Sequence, residues 1–203
     1  TSEYVTLTAS ADNAGSIDIS GWSLQSAVTG KRIYIPLAAS PYVLGIVNRV
    51  SDALLSPGAS AIITSGISPV GVSFRETLCT GYLNQTQSFS PALSNSCPSR
   101  DRVLPYNADN LARFGADCFD YIQTMPQCDF PKSLPSSLSP SCRALLSTAF
   151  SYNGCVNMFQ SSQDFALSSW RMYAGFTTEL WGNSHDILRL SDGQGRIVTT
   201  VSY

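Results

Sequence analysis

The chain opens on alternation. In Glu3-Tyr4-Val5-Thr6-Leu7-Thr8, Val5 and Leu7 fall on one side and their polar neighbours on the other. That is the period of a half-buried strand. Asp12-Asn13-Ala14-Gly15 reads as a turn, Ile17-Asp18-Ile19 as a short strand broken by Ser20-Gly21, and Trp22-Ser23-Leu24 alternates again. Thr29-Gly30 turns the chain into Arg32-Ile33-Tyr34-Ile35-Pro36. Leu55-Ser56-Pro57-Gly58 turns it once more, because Pro pre-sets φ and Gly accepts a positive φ, and a strand follows from Ala59 to Thr64. Short strands at this spacing predict a β-sandwich or barrel.

From residue 77 to about 175 the period changes. Leu111, Phe114, Cys118, Tyr121, Ile122 and Met125 recur every three or four positions, which predicts one amphipathic helix over about 108–125, closed by Pro126. Ser139-Pro140 is a helix start. Cys142, Leu145, Leu146, Ala149 and Phe150 share the face that follows, and Asn153-Gly154 is read as its end. A third, weaker helical pattern runs from about Asp164 to Ala174. After Phe176 strand patterning returns. Gly182-Asn183 is a turn, Asp186 to Leu190 a strand, Ser191-Asp192-Gly193-Gln194-Gly195 a hairpin connection, and Arg196 to Tyr203 the closing strand. The predicted organisation is a sandwich from residues 1–76 plus 176–203, interrupted by an insert over 77–175.

The cysteines sharpen this division. All six, Cys79, Cys97, Cys118, Cys128, Cys142 and Cys155, lie within the insert. None forms a C-x-x-C pair, so zinc-ribbon, thioredoxin-like and c-type haem spacings are missing. An even, widely spaced set predicts three disulfides and an oxidising compartment. Six cysteines allow about 15 pairings, among which Cys79 with Cys97 is a local bridge across a polar loop. Charged residues make up only 13% of the 203 residues, against a usual share of roughly 25%. With a net charge of −2 and few basic residues, the chain has no footprint for binding nucleic acid. No apolar run is long enough for a transmembrane segment. The chain shows no signal peptide and starts almost at once in strand-like sequence, as a trimmed or processed protein would.

Several segments together resemble a lamin-tail domain. They are Glu3-Tyr4-Val5-Thr6-Leu7, then Ile17-Asp18-Ile19-Ser20-Gly21-Trp22-Ser23-Leu24, then Leu55-Ser56-Pro57-Gly58. The last are Leu180-Trp181-Gly182-Asn183 and the hairpin from Asp186 through Gly195 to Val198. The match covers residues 1 to about 65 and 176–203. It implies a mainly β fold, an immunoglobulin-like β-sandwich of lamin-tail type interrupted by a disulfide-stapled, partly helical insert. The insert departs from the nuclear lamin form and is more similar to lamin-tail proteins of bacterial surfaces, for which the resemblance implies no activity. It also accounts for Trp22. A glycine before it bends the chain so that the indole folds into the core, much as in immunoglobulin domains.

Candidate chemistry is sparse. Ser184-His185-Asp186 offers triad residue types around the only histidine, but adjacent strand residues face opposite ways and no G-x-S-x-G elbow is present. Asp192-Gly193-Gln194-Gly195 lacks the alternating acids of a calcium loop. Asn84-Gln85-Thr86 fits a glycosylation sequon. Asp109, Asp117, Asp120, Asp129 and Asp164 in the insert, flanked by Glu76 and Glu179, could supply a carboxylate pair for a hydrolase. Inserted segments on a rigid sandwich more often carry binding, and Tyr82, Tyr106, Tyr152 and Trp181 are the candidate binding surface.

The expectation is therefore a non-catalytic extracytoplasmic module, secreted or at the cell surface. It recognises a protein or a glycan through the insert and uses no cofactor and no metal. Self-association through an open sheet edge is a further expectation. A hydrolase using the insert carboxylates is the alternative, and a nucleic-acid-binding lamin-tail module a weaker one.

Overall fold

The computed structural model describes residues 3–182 and 184–203. Asn183, in the predicted turn after Gly182, lies outside the described residues. The chain divides into two compact units. One is Thr1–Glu76 together with Leu167–Tyr203, and the other is Thr77–Ala166. Strand accounts for 24% of the chain and helix for 22%, so the protein is mainly β.

The first unit is built of strands. In chain order they are β1 (Tyr4–Thr8), β2 (Ile17–Asp18), β3 (Ser23–Ser26), β4 (Arg32–Tyr34), β5 (Ala38–Ala39) and β6 (Val50–Ser51). Then come β7 (Leu54–Leu55), β8 (Ser60–Thr64), β9 (Ser73–Thr77), β10 (Ala166–Tyr173), β11 (Ile187–Ser191) and β12 (Ile197–Ser202). One sheet has the order β1-β8-β10-β9-β5-β6, a second β12-β11-β3-β4, and β2 pairs with β7. The alternation seen in the sequence sets the registers. Val5 lies opposite Ile63 and Leu7 opposite Ala61, while Met172 and Trp170 take the other flank of the same two residues. In the second sheet Leu190 lies opposite Leu24, and Leu24 opposite Ile33. These inward rows meet in one hydrophobic core. Trp22 packs against that core only partly buried, after Gly21 at φ +75°.

Most of residues 164–174, expected from the sequence to be a weak helix, forms β10 (Ala166–Tyr173) instead. This strand pairs parallel to β8 and sits beside β9. Its Trp170 and Met172 alternate into the core, a period that serves a strand once a partner edge is present.

The second unit holds the helices. After a 3-10 helix at Thr80–Gln85 come α1 (Arg100–Val103), α2 (Ala108–Phe114), α3 (Ala116–Thr124), α4 (Pro140–Ala149) and α5 (Tyr152–Phe159). The helix expected over 108–125 is two helices. Gly115 separates them at φ +84°, a conformation that only glycine enters readily. α3 stops before Pro126, with Met125 extended as a residue preceding proline must be. The predicted cap of α4 is present, since the Ser139 hydroxyl accepts from the Cys142 amide. Asn153-Gly154, expected to end that helix, lies inside α5, whose own cap is Ser151 accepting from Gly154 N. The glycine serves close packing rather than a turn. A Cβ there would stand 1.8 Å from the Thr148 carbonyl oxygen.

Three disulfides staple this unit: Cys79–Cys155, Cys97–Cys128 and Cys118–Cys142. The local Cys79–Cys97 bridge is not formed. Cys79 leads into the 3-10 helix, which packs on α5 and so meets Cys155. Cys118–Cys142 ties α3 to α4. Among the described residues no helix is long and apolar enough to cross a membrane.

Candidate functional site

The second unit contains a cavity of about 330 Å³. Four segments build it. The 3-10 helix contributes Tyr82, the stretch into α1 contributes Pro98 to Asp101, the end of α3 contributes Gln123 and Met125 to Cys128, and the end of α4 contributes Phe150. The Cys97–Cys128 bridge holds two of these segments together, since Pro98 follows one cysteine and Gln127 precedes the other. Arg100 strengthens the same junction by donating to the Met125 carbonyl. Gly81 allows the close approach. A Cβ at this position would lie 2.4 Å from Cys128 Sγ and 2.9 Å from Cys97 Sγ.

Tyr82 is buried in this wall. Burial pushes its hydroxyl up to about 12, with the negative charge of Asp129 adding to the rise. The group therefore stays a neutral phenol across the physiological range and both donates and accepts hydrogen bonds. Its hydroxyl has no hydrogen-bond partner among the described residues. The other predicted aromatics divide. Tyr106 is 72% exposed and stands edge-on to Phe119 with ring centroids 5.0 Å apart. Tyr152 is buried in α5, and Trp181 is buried in the core of the first unit.

The insert carboxylates do not converge on the cavity, whose lining includes one acid, Asp101. Asp164 is bridged to Arg102 at 2.6 Å, a contact that holds its carboxyl below the usual range. Asp109 lies in the first turn of α2, and Asp117 and Asp120 are exposed on α3. Glu76 is buried in an ion pair with Arg171 in the first unit. Among the described residues no group of three or more His, Cys, Asp or Glu side chains is placed to hold a metal ion.

The Ser184-His185-Asp186 stretch is a structural corner. His185 is exposed in a turn at φ +57°. Asp186 is buried and spends its carboxylate on local donors. It accepts from Ser26 Oγ at 2.6 Å, Ile187 N at 2.7 Å, Gly182 N at 2.9 Å and Val28 N at 3.3 Å. Burial alone would push this acid up, but the hydrogen bonds outweigh it and hold the carboxyl below its ordinary range. Glu3 plays a parallel part by accepting from the amides of Leu180 and Trp181 at 2.8 and 3.3 Å. Neither role follows from the spacing of residues along the chain. The Glu of Glu-Tyr-Val carried the only signal, since a charge at the start of an apolar strand needs a partner.

A second cavity, of about 530 Å³, lies in the first unit between β1 and β12. Both strands end their sheets, and every residue of β12 is exposed.

Fold and cavity together define a mainly β protein with a disulfide-bridged helical unit that presents a cavity of mixed polar and apolar lining. No family model, no curated protein and no solved structure matches this chain.

Proposed function

We propose that this chain is a non-catalytic binding module that works outside the cytoplasm, secreted or at a cell surface, and recognises a protein or glycan through its Thr77–Ala166 unit. The observation that carries this reading is the cavity around Tyr82, one of the residues the sequence marked for binding, framed by the Cys97–Cys128 bridge. Three disulfides support an oxidising compartment. Two sheets whose buried residues share one core support the reading of the first unit as an immunoglobulin-like sandwich of lamin-tail type, with the helical unit inserted in it. The motif residues Glu3 and Asp186 support it further, since both close the corner where the strand-rich sequence resumes.

The test is binding of the purified, oxidised chain to cell envelopes of its own organism. Gln123→Ala/Gln127→Ala, at the rim of the cavity, is expected to weaken retention about tenfold. Arg189→Ala, on the exposed face of β11, is expected to leave it unchanged. Equal retention of both variants overturns the placing of recognition in the helical unit.

A further inference from the structure

We propose that the Tyr82 cavity is a saccharide site that takes a neutral sugar ring. This rests on the reading of Thr77–Ala166 as the recognition unit and names the ligand class. The volume of about 330 Å³ sits at the low end of small-molecule pockets, which run from roughly 300 to 1,000 Å³. It suits one small ring rather than a long apolar ligand.

The polar lining decides the chemistry. The side chains of Ser99, Asp101, Gln123 and Gln127 have no hydrogen-bond partner among the described residues, and Tyr82 joins them. Tyr82 is the informative member. It is only 5% exposed, and a buried phenol ordinarily finds a partner. Its oxygen is not sealed in, because the one sealed side-chain polar atom without a partner among the described residues is Trp170 Nε1. Tyr82 lines the cavity, and its unsealed oxygen is available to a ligand held there.

Two hydroxyls and two amides both donate and accept, which matches the hydroxyls of a sugar, themselves donors and acceptors. The lining holds one cation, Arg100, and one anion, Asp101, so no net charge favours an ionic ligand. The guanidinium is already engaged with the Met125 carbonyl. Met125, Pro126 and Phe150 supply apolar wall for the C–H face of a ring.

The test is titration of the intact, oxidised chain with glucose, galactose, mannose, N-acetylglucosamine and the acidic sugar galacturonate. The readout is the NMR signals of the Gln123 and Gln127 side-chain amides. At least one neutral sugar is expected to shift them saturably. Tyr82→Phe, and Gln123→Ala/Gln127→Ala followed through the backbone amides of Ser99 and Asp101, are each expected to weaken that sugar about tenfold, the loss of a hydrogen bond or two. Tyr82→Phe removes a hydroxyl that no protein group among the described residues uses, so the melting temperature is expected to stay within error of the parent. A purely structural tyrosine would move it without changing sugar affinity. Galacturonate binding more tightly than every neutral sugar overturns the neutral assignment. No saturable shift with any sugar overturns the saccharide site. If the envelope binding is still lost in the glutamine variant, the recognition reading stands and only the ligand class falls. If envelope binding is also unaffected, both fall.

Discussion

Asp186 is a carboxylate without solvent exposure, satisfied by one hydroxyl and three backbone amides. Each of those amides would be left without its partner if the acceptor were removed, and an orphaned buried donor is expensive. Asp186→Asn presents an NH2 where only acceptors fit. It is expected to lower stability by about 3 kcal/mol, measured by urea unfolding at neutral pH. The pH dependence has a definite sign. The folded carboxyl lies below its unfolded value of about 3.9, so its contribution is complete above that pH. It is lost as pH falls from there through the folded value. The stability gap between parent and Asp186→Asn should narrow across that acid window and stay constant between pH 6 and 8. At this scale the sequence showed residue types but not their roles. Asp186 looked like half of a catalytic pair because it stands beside His185. Its partners, Ser26 and Val28, are about 160 positions away in the chain. Gly81 and Gly154 were equally opaque, since the Cys128 sulfur and the Thr148 carbonyl that forbid a Cβ appear only on folding.

Elements were more legible where their cause is local. The hairpin from β11 to β12 follows from Asp192-Gly193-Gln194-Gly195, and the Asp192 carboxylate does accept from the amides of Gln194 and Arg196. The start of α4 follows from Ser139-Pro140. α5 was readable and missed. Ser151 caps it, and Tyr152, Cys155, Val156 and Phe159 repeat at helical spacing. β10 was misread because its conformation depends on β8 and β9, distant in the chain. Among the contacts that join β10 to β9 is the buried ion pair of Arg171 with Glu76, whose side chains are 5% and 2% exposed. Beside it, burial first and then the charge of Glu76 push the Tyr173 hydroxyl up to about 12, against the opposing pull of Arg171. Removing one partner strands a buried charge. Arg171→Leu is expected to destabilise by about 3–5 kcal/mol, whereas Glu76→Leu/Arg171→Leu should recover most of that loss. Tryptophan fluorescence during urea unfolding reads this directly. A double variant as unstable as the single one would mean that the pair stabilises the sheet rather than merely compensating itself.

At the scale of the molecule, the two units carry separate reporters. Trp22, Trp170 and Trp181 all lie in the first unit, and every helix among the described residues and all three disulfides lie in the second. The bridges close loops with sequence separations of 76, 31 and 24 residues. Chain entropy makes each worth about 3–5 kcal/mol, not additively. Their combined loss is comparable with the whole stability of a typical domain, about 5–15 kcal/mol. Reduction is therefore expected to abolish the helical circular-dichroism signal and the Tyr82 cavity. Tryptophan fluorescence, reporting the strand-built core, should keep its native maximum. Simultaneous loss of both signals would show that the units unfold as one.

Sequence by itself determined the strands whose alternation faces a core, the capped start of α4, the hairpin of Asp192, and the concentration of cysteines in one segment. These are decided by neighbours within a few residues or by composition. Only the tertiary structure decided which cysteines pair, that residues 166–173 make a strand, that Gly115 divides a helix, and that Tyr82 lines a cavity. Each of those depends on a group brought close by folding, and separation along the chain carries no record of that distance.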